Sequence, residues 1–241
     1  MFGDFLDWEP VLEPLAQSHR VIALDLPGFG NSSKPAREYT ADFFVTTLHE
    51  LFTGLALRRM ILVGNSFGGQ IAILYTLRHP EMVAKLVLVD SGGFRFISEE
   101  EYSAVAARFG EPVIATLTPE VHELLFASVF TQPSEASQRY LRRQNEKLKR
   151  SDYLSYAESL ASSIRLSLSA CLLDRLVEIK CPTLLIWGER DLVLPVQQAR
   201  TALARLPHGE LQVISACGHA PQLECSEEFL RAIVPFLHPS L

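Results

Sequence analysis

The sequence predicts an α/β fold: a mostly parallel, doubly wound sheet with a helical lid inserted after the strand that ends near Asp90. Three observations carry this expectation. Short, β-branched apolar runs alternate with segments whose apolar residues recur at helical spacing. That alternation breaks from about Ser98 to Ala170, where polar helical runs such as "SEEEYSAVAARF" and "QRYLRRQNEKLKRSDYLSYAESL" hold no convincing strand. It resumes at "CPTLLIWGERD" and continues to the end. Strands that read as unbroken hydrophobic runs are those covered on both faces, as in a parallel sheet between helices.

Taken in order, "RVIALDL" (20–26) reads as a buried strand stopped by the turn residues "PGFGNSSKP". "ADFFVTTLHELFTGL" (41–55) has helical spacing, with Thr40 or Asp42 placed to cap it. "RMILVGN" is the next strand, followed by a helix from Phe67 to about His79 that Pro80 ends. "KLVLVDS" (85–91) is another strand, closed by Gly92-Gly93. Beyond the helical stretch come the strand in "CPTLLIWGERD" (181–191) and the helix "VQQARTALARL" (196–206), with Pro195 at its entrance. "ELQVIS" (210–215) is the last strand and "SEEFLRAIVPFL" (226–237) the last helix, with Ser226 and Glu227 or Glu228 suited to its first turn. Residues 1–97 and 171–241 would form the sheet domain, and 98–170 the lid.

The 241 residues fit one such domain with its insertion, and 48% hydrophobic against 21% charged residues supports a substantial core. A net charge of −6 argues against nucleic acid as a partner, because phosphate binding needs a clustered positive excess. The one concentrated basic run, Arg139, Arg142, Arg143, Lys147, Lys149 and Arg150, reads as a solvated helix face. Cys171, Cys181, Cys217 and Cys225 lack metal-ligand spacing and read as small buried hydrophobes. No apolar stretch reaches the roughly 18 residues that cross a bilayer, and no secretory signal opens the chain. The expectation is a reduced, cytoplasmic protein acting on a small molecule, without cofactor, metal or stable membrane insertion. Oligomeric state is not encoded legibly.

"GNSFG", residues 64–68, sits between a buried strand and a helix. A serine at so sharp a turn is pushed above the sheet, and side chains at Gly64 and Gly68 are expected to collide with neighbouring backbone. Ser66 is then a candidate nucleophile, and the N–H of Phe67, at a helix start, points where negative charge would develop. The competing reading is a tight turn whose serine only caps the helix. A serine nucleophile needs a base oriented by an acid. His219 in "SACGHAPQLE" follows the final strand, at the sheet edge where such folds place their chemistry. Asp191 in "LLIWGERDLVLP" holds the matching place one strand earlier, with Asp90 as rival acid. The remaining histidines lie in helical, terminal or connecting stretches and read as surface or packing residues.

The order Ser66, Asp191, His219 is that of the α/β-hydrolase arrangement. The segments "VIALDLPGFGNSSKP", "LVGNSFGGQIAILYTLRHPEMVAKLVLVDS", "PTLLIWGERDLVLP" and "GHAPQLECSEEF" resemble that superfamily, and specifically its cofactor-independent, lid-bearing hydrolases. The resemblance implies a Ser–His–Asp hydrolase. Dehalogenases and epoxide hydrolases of this fold carry aspartate where Ser66 stands. "GNSFGG" is similar to the C–C bond hydrolases of ring-fission products, which often place an aromatic residue where this chain has Ala220. That departure leans the expectation towards a carboxylic ester hydrolase acting on apolar substrates through an acyl-enzyme. C–C bond hydrolysis and a non-catalytic protein of the same fold remain as alternatives. Asn65 would bind substrate or brace the turn.

Relatives of this kind begin with further strands and a His-Gly loop, of which "MFGDFLDWEP" resembles only the end. The second oxyanion donor would be the N–H of Phe2. The resemblance also implies that the strand normally lying between "RVIALDL" and "RMILVGN" is missing. Either those two runs pair directly or the natural chain starts further upstream, and the energetic penalty of unpaired buried peptide groups favours the latter.

Overall fold

The computed structural model describes residues 3–126 and 128–238. Four parallel strands form one sheet in chain order: β1 (Met60–Asn65), β2 (Val83–Val89), β3 (Thr183–Gly188) and β4 (Gly209–Ile214). Each coincides with one of the apolar runs read from the sequence, but β2 and β4 begin earlier than read, at Val83 and Gly209, whereas β1 and β3 begin later, at Met60 and Thr183. The α-helices among the described residues are α1 (Glu9–Ala16), α2 (Ala41–Gly54), α3 (Phe67–Arg78), α4 (Glu99–Arg108), α5 (Glu111–Ile114), α6 (Pro119–Phe126), α7 (Glu135–Lys147), α8 (Tyr153–Ser169), α9 (Gln197–Leu203), α10 (Pro221–Glu224) and α11 (Ser226–Leu237). Thr40, not Asp42, caps α2, its hydroxyl accepting the Phe43 N–H at 3.1 Å. From α4 to α8 the chain is helices and turns, all between β2 and β3.

Two-residue alternation distributes the strands' side chains between two cores. Leu86 and Leu88 of β2 join Leu185 and Trp187 of β3 on one face, with Phe44 of α2 and Tyr75 of α3. Val87 and Val89 join Leu184 and Ile186 on the other, with Val11 of α1 and Phe229 and Ile233 of α11. Both central strands are thus covered twice, which their unbroken hydrophobicity requires. The last helix of the insertion, α8, extends the first core through Tyr156, Leu160 and Ile164.

Three expectations need correction. The run at residues 20–26 joins no ladder, and β1 pairs on one flank only, with β2. It does not pair directly with β1. Its residues are half-buried or exposed, Ile22 by 40%, and β1 is half-buried except at Gly64. Asp25 fixes the segment instead: its carboxylate accepts the N–H groups of Phe5 (2.7 Å) and Asn31 (2.8 Å), and its carbonyl the Ser32 hydroxyl (2.7 Å). Cysteine burial is uneven as well. Cys217 is buried, Cys181 and Cys225 are partly so, and Cys171 is exposed because it follows the end of α8.

The third correction concerns the basic run. Arg139, Arg142, Lys149 and Arg150 are exposed, as a solvated face demands, but Arg143 and Lys147 are not. One helical turn apart, they share the inward face of α7 with Tyr140 and Gln144. Lys147 pairs with Asp4 at 3.0 Å, and Arg143 pairs with Asp4 at 3.8 Å and with Asp7. The insertion is thereby clamped to the segment before α1.

Burial, with Asp4 alongside, pushes Asp7 up to about 6 despite its two cationic neighbours. A carboxyl whose folded pKa exceeds its unfolded value holds a proton that the unfolded chain releases, so its contribution to stability falls as pH rises between those values. Asp7→Asn is therefore expected to gain stability relative to the parent chain between about pH 4 and pH 7, by about 1–3 kcal/mol. Urea midpoints of both proteins across that window provide the check, and a difference independent of pH would refute it.

Candidate active site

Ser66 joins β1 to α3 with φ 54° and ψ −119°, a left-handed conformation that a non-glycine residue holds only under constraint, at about 1–3 kcal/mol. Its main chain is pinned on both sides: the Ser66 N–H donates to Val89 at 2.9 Å, and the Ser66 carbonyl accepts from Gly92 at 2.9 Å. The side chain does not cap α3, and among the described residues its hydroxyl has no hydrogen-bond partner. Phe67 opens α3, so its N–H has no acceptor within the helix, while its buried ring packs against Phe29 and Phe44 at 6.2 and 5.4 Å between centroids.

The glycines around this turn do not act as the spacing suggests. A Cβ on Gly64 would lie 2.5 Å from the carbonyl oxygen of Gly68, so Gly64 is needed for close approach. A Cβ on Gly68 would meet nothing within 4 Å. The second constrained position is Gly69, where a Cβ would sit 2.4 Å from the Ser91 hydroxyl.

Asp191 and His219 meet. The imidazole Nδ1 lies 2.8 Å from Asp191 Oδ2, and both residues are buried. Asp191 Oδ1 accepts the N–H groups of Val193 (2.7 Å) and Leu194 (2.9 Å), so the Asx-type turn and the contact with histidine coexist on one carboxylate. Trp187 secures the loop from below, its indole N–H donating to the Leu194 carbonyl at 2.7 Å. Strand β3 and the His219 loop approach so closely that a Cβ on Gly188 would sit 2.0 Å from the Gly218 oxygen.

His219 is joined to the Ser66 turn through Asn65. The Asn65 amide donates to the His219 carbonyl at 3.2 Å and to the Val89 carbonyl at 3.0 Å. Asn65 thus braces the turn against the histidine loop. This brace joins the Ser66 turn to the backbone of the histidine loop, and among the described residues no hydrogen bond links the Ser66 hydroxyl to the imidazole. Asp90, the rival acid, lies fully buried behind Asp191, its Oδ1 accepting the Gly188 N–H at 2.9 Å. Phe2 lies outside the described residues.

Glu224 is a residue that the sequence reading missed. Its Oε2 accepts the Gly218 N–H at 2.7 Å; its Oε1 accepts the N–H (2.7 Å) and hydroxyl (2.6 Å) of Thr131. The His219 N–H donates to Val129 at 2.8 Å. Together these bonds seat the histidine loop on the insertion. An acid five residues after His219, among apolar neighbours, was the available signal. The clusters Asp90–Asp191–His219 and Cys217–Glu224–Cys225 have metal-ligand chemistry, but the fold's own donors already engage Asp191 and Glu224. A depression of about 320 Å³ beside α2 and α3 is lined by Leu74, Arg78 and Arg175 and by none of the three residues.

Residues 1–225 match the family described as the alpha/beta hydrolase fold. The chain belongs to that family. This hydrolase-fold protein is 32% identical to "2-hydroxy-6-oxononadienedioate/2-hydroxy-6-oxononatrienedioate hydrolase 2" of Pseudomonas putida, over 94% of its own length and 80% of the relative's. It superposes on a meta-cleavage product hydrolase from Pseudomonas fluorescens IP01 with a TM-score of 0.82 and 25% identity, covering 98% of this chain and 85% of that one. A membrane phospholipase A, described as a bacterial virulence factor, is 33% identical with a TM-score of 0.80, over 98% and 75% of the two chains. No helix among the described residues of the hydrolase-fold protein is long and apolar enough to cross a membrane.

The glycine geometry yields a sharp contrast. Gly64→Ala is expected to lower stability by about 2 kcal/mol or more, since backbone must shift to admit the methyl group. Gly68→Ala, in the first turn of α3 with open space, should be neutral or stabilising by up to about 1 kcal/mol. Thermal unfolding of the two variants measures this; equal losses would contradict the packing described.

Proposed function

We propose that this protein hydrolyses a carbon–carbon bond beside a ketone in a diketone-like ring-fission product, with Ser66 as nucleophile, His219 as base and Asp191 as orienting acid. The observation that carries the catalytic part is the buried 2.8 Å contact between His219 and Asp191, strapped by Asn65 to a strained turn bearing an unengaged hydroxyl. The choice of bond is supported by the relatives, whose names specify 2-hydroxy-6-oxo dienoic substrates and meta-cleavage products.

In this reading Asp191 holds the proton on Nδ1, leaving Nε2 to accept the Ser66 proton as Oγ attacks the ketone carbon. The Phe67 N–H donates to the developing oxyanion. Collapse breaks the bond to the neighbouring carbon, whose electron pair is delocalised into the second, conjugated carbonyl and takes a proton from the imidazolium. Water activated by His219 then releases the acid from Ser66. Only a delocalised carbanion leaves at a useful rate, so the substrate's second carbonyl is as necessary as the triad. The helices from α4 to α8 act as the lid over this edge of the sheet, and the protein works in the cytoplasm on a small molecule. Ester hydrolysis by the same residues is the second reading, favoured by Ala220 after the histidine and by the likeness to a phospholipase.

Ser66 is expected to be labelled by a fluorophosphonate probe, and Ser66→Ala to lose both labelling and turnover, by about 10³-fold or more in kcat. Side-by-side assays of a 2-hydroxy-6-oxo-dienoate and short p-nitrophenyl esters separate the bond classes. Turnover confined to the esters would install the second reading. Absence of labelling and turnover together would mark a non-catalytic protein.

A further inference from the structure

Asp90 has no part in the mechanism above, yet it is the most deeply enclosed ionisable group at this edge of the sheet. It follows β2 with φ 40°, and its relative exposure is 0%. Its Oδ1 accepts the Gly188 N–H, whereas Oδ2 is buried without any donor among the described residues. What the Asp90 carboxylate faces is another acceptor. Carboxylate oxygens of Asp90 and Asp191 and a ring nitrogen of His219 all lie within 4.8 Å of one another. The Asp191 side chain is itself wholly enclosed, and the imidazole Nδ1 is already occupied by it. A further charge acting on Asp90, Glu224 of α10, is also acidic. Two bare carboxylates cannot share a dry enclosure with no cation set aside for the second; one of them takes up a proton. Asp191 already has three donors and Asp90 has one, so the proton belongs to Asp90.

We propose that Asp90 is a neutral carboxylic acid that donates its proton to the Asp191 carboxylate, a positioning residue that fixes the triad acid and moderates its basicity. This rests on the reading of Asp191 and His219 as orienting acid and base. The proton completes the hydrogen bonding on both sides: Oδ1 remains the acceptor for Gly188, and Oδ2 becomes a donor rather than an orphan. Asp191 then receives hydrogen bonds from Val193, Leu194, His219 and Asp90. A carboxylate so surrounded stays ionised and does not draw the proton away from Nδ1, which keeps the imidazole in the tautomer that leaves Nε2 free to act as base. Burial, with Asp191 alongside, holds Asp90 well above the usual carboxylate range, in keeping with this role.

The test compares Asp90→Asn with Asp90→Leu. Asparagine keeps an acceptor for Gly188 and a donor for Asp191, and is expected to retain kcat within about threefold of the parent, with an unshifted pH profile. Leucine removes both groups and is expected to lower kcat about 10- to 100-fold, the loss of one buried hydrogen bond to a charge. It should also move the acid limb of kcat/KM to higher pH, because a less satisfied Asp191 stabilises the imidazolium. Infrared difference spectra of the folded parent against Asp90→Asn, from pH 5 to 8, should show the carbonyl stretch of a protonated carboxyl that the variant lacks. The same band should persist in Ser66→Ala, which reads Asp90 without any catalysis. Absence of the band, or an Asp90→Asn variant that folds yet is as impaired as Asp90→Leu, would overturn the proposal. Loss of labelling and turnover in the parent with the band intact would instead strike the catalytic reading alone. Should Asp90→Leu not fold, the band and Asp90→Asn still decide.

Discussion

A backbone hydrogen bond repeated at the ends of three strands organises everything above the sheet. Ser66 donates to Val89, Asp90 to Ile186, and Glu189 to Ile214, at 2.9, 3.0 and 2.9 Å. Each donor belongs to the residue immediately after a strand, and each acceptor to a residue of the neighbouring strand near its end. Evenly slanted parallel ladders make this possible. The chain leaves the sheet three times in one row, so loops from distant parts of the sequence begin side by side. A slip of one residue would exchange the faces of every side chain in the strand and deliver the hydroxyl of Ser66 elsewhere.

The charges at this row contrast with those under α7. Beneath α7, Asp4 and Asp7 meet Arg143 and Lys147, so buried acids find cations. At the histidine loop, Asp90 and Asp191 gather around one imidazole and Glu224 holds the Gly218 N–H of the same loop, so backbone N–H groups stand where cations would. Dipoles fixed by the fold stabilise an anion without supplying a charge that would compete for it.

Much of this arrangement was legible because the hydrolase fold orders its elements along the chain: a serine between strand and helix, an acid after one late strand, a histidine after the next. The strands β1 to β4 were legible through their apolar runs. What escaped depended on partners far away in the chain. The Asn65 side chain reaches a carbonyl 154 residues on, and Glu224 a threonine 93 residues back. Arg143 and Lys147 looked solvated until Asp4 and Asp7, from the other end of the molecule, arrived against them. The run at 20–26 was misread because β-propensity describes how a segment suits a pleated surface, while a strand also needs a neighbour at ladder distance. The role of Gly68 was misassigned to it from a spacing rule, when the contact that matters falls on Gly69.

The flank of β1 turned away from β2 has a bearing beyond the active site. Its residues, "MILVGN", include neither proline nor charge, and only the Arg58-Arg59 pair just before them repels an approaching chain. Such a border is a template on which another extended polypeptide can be laid, stacking copies side by side.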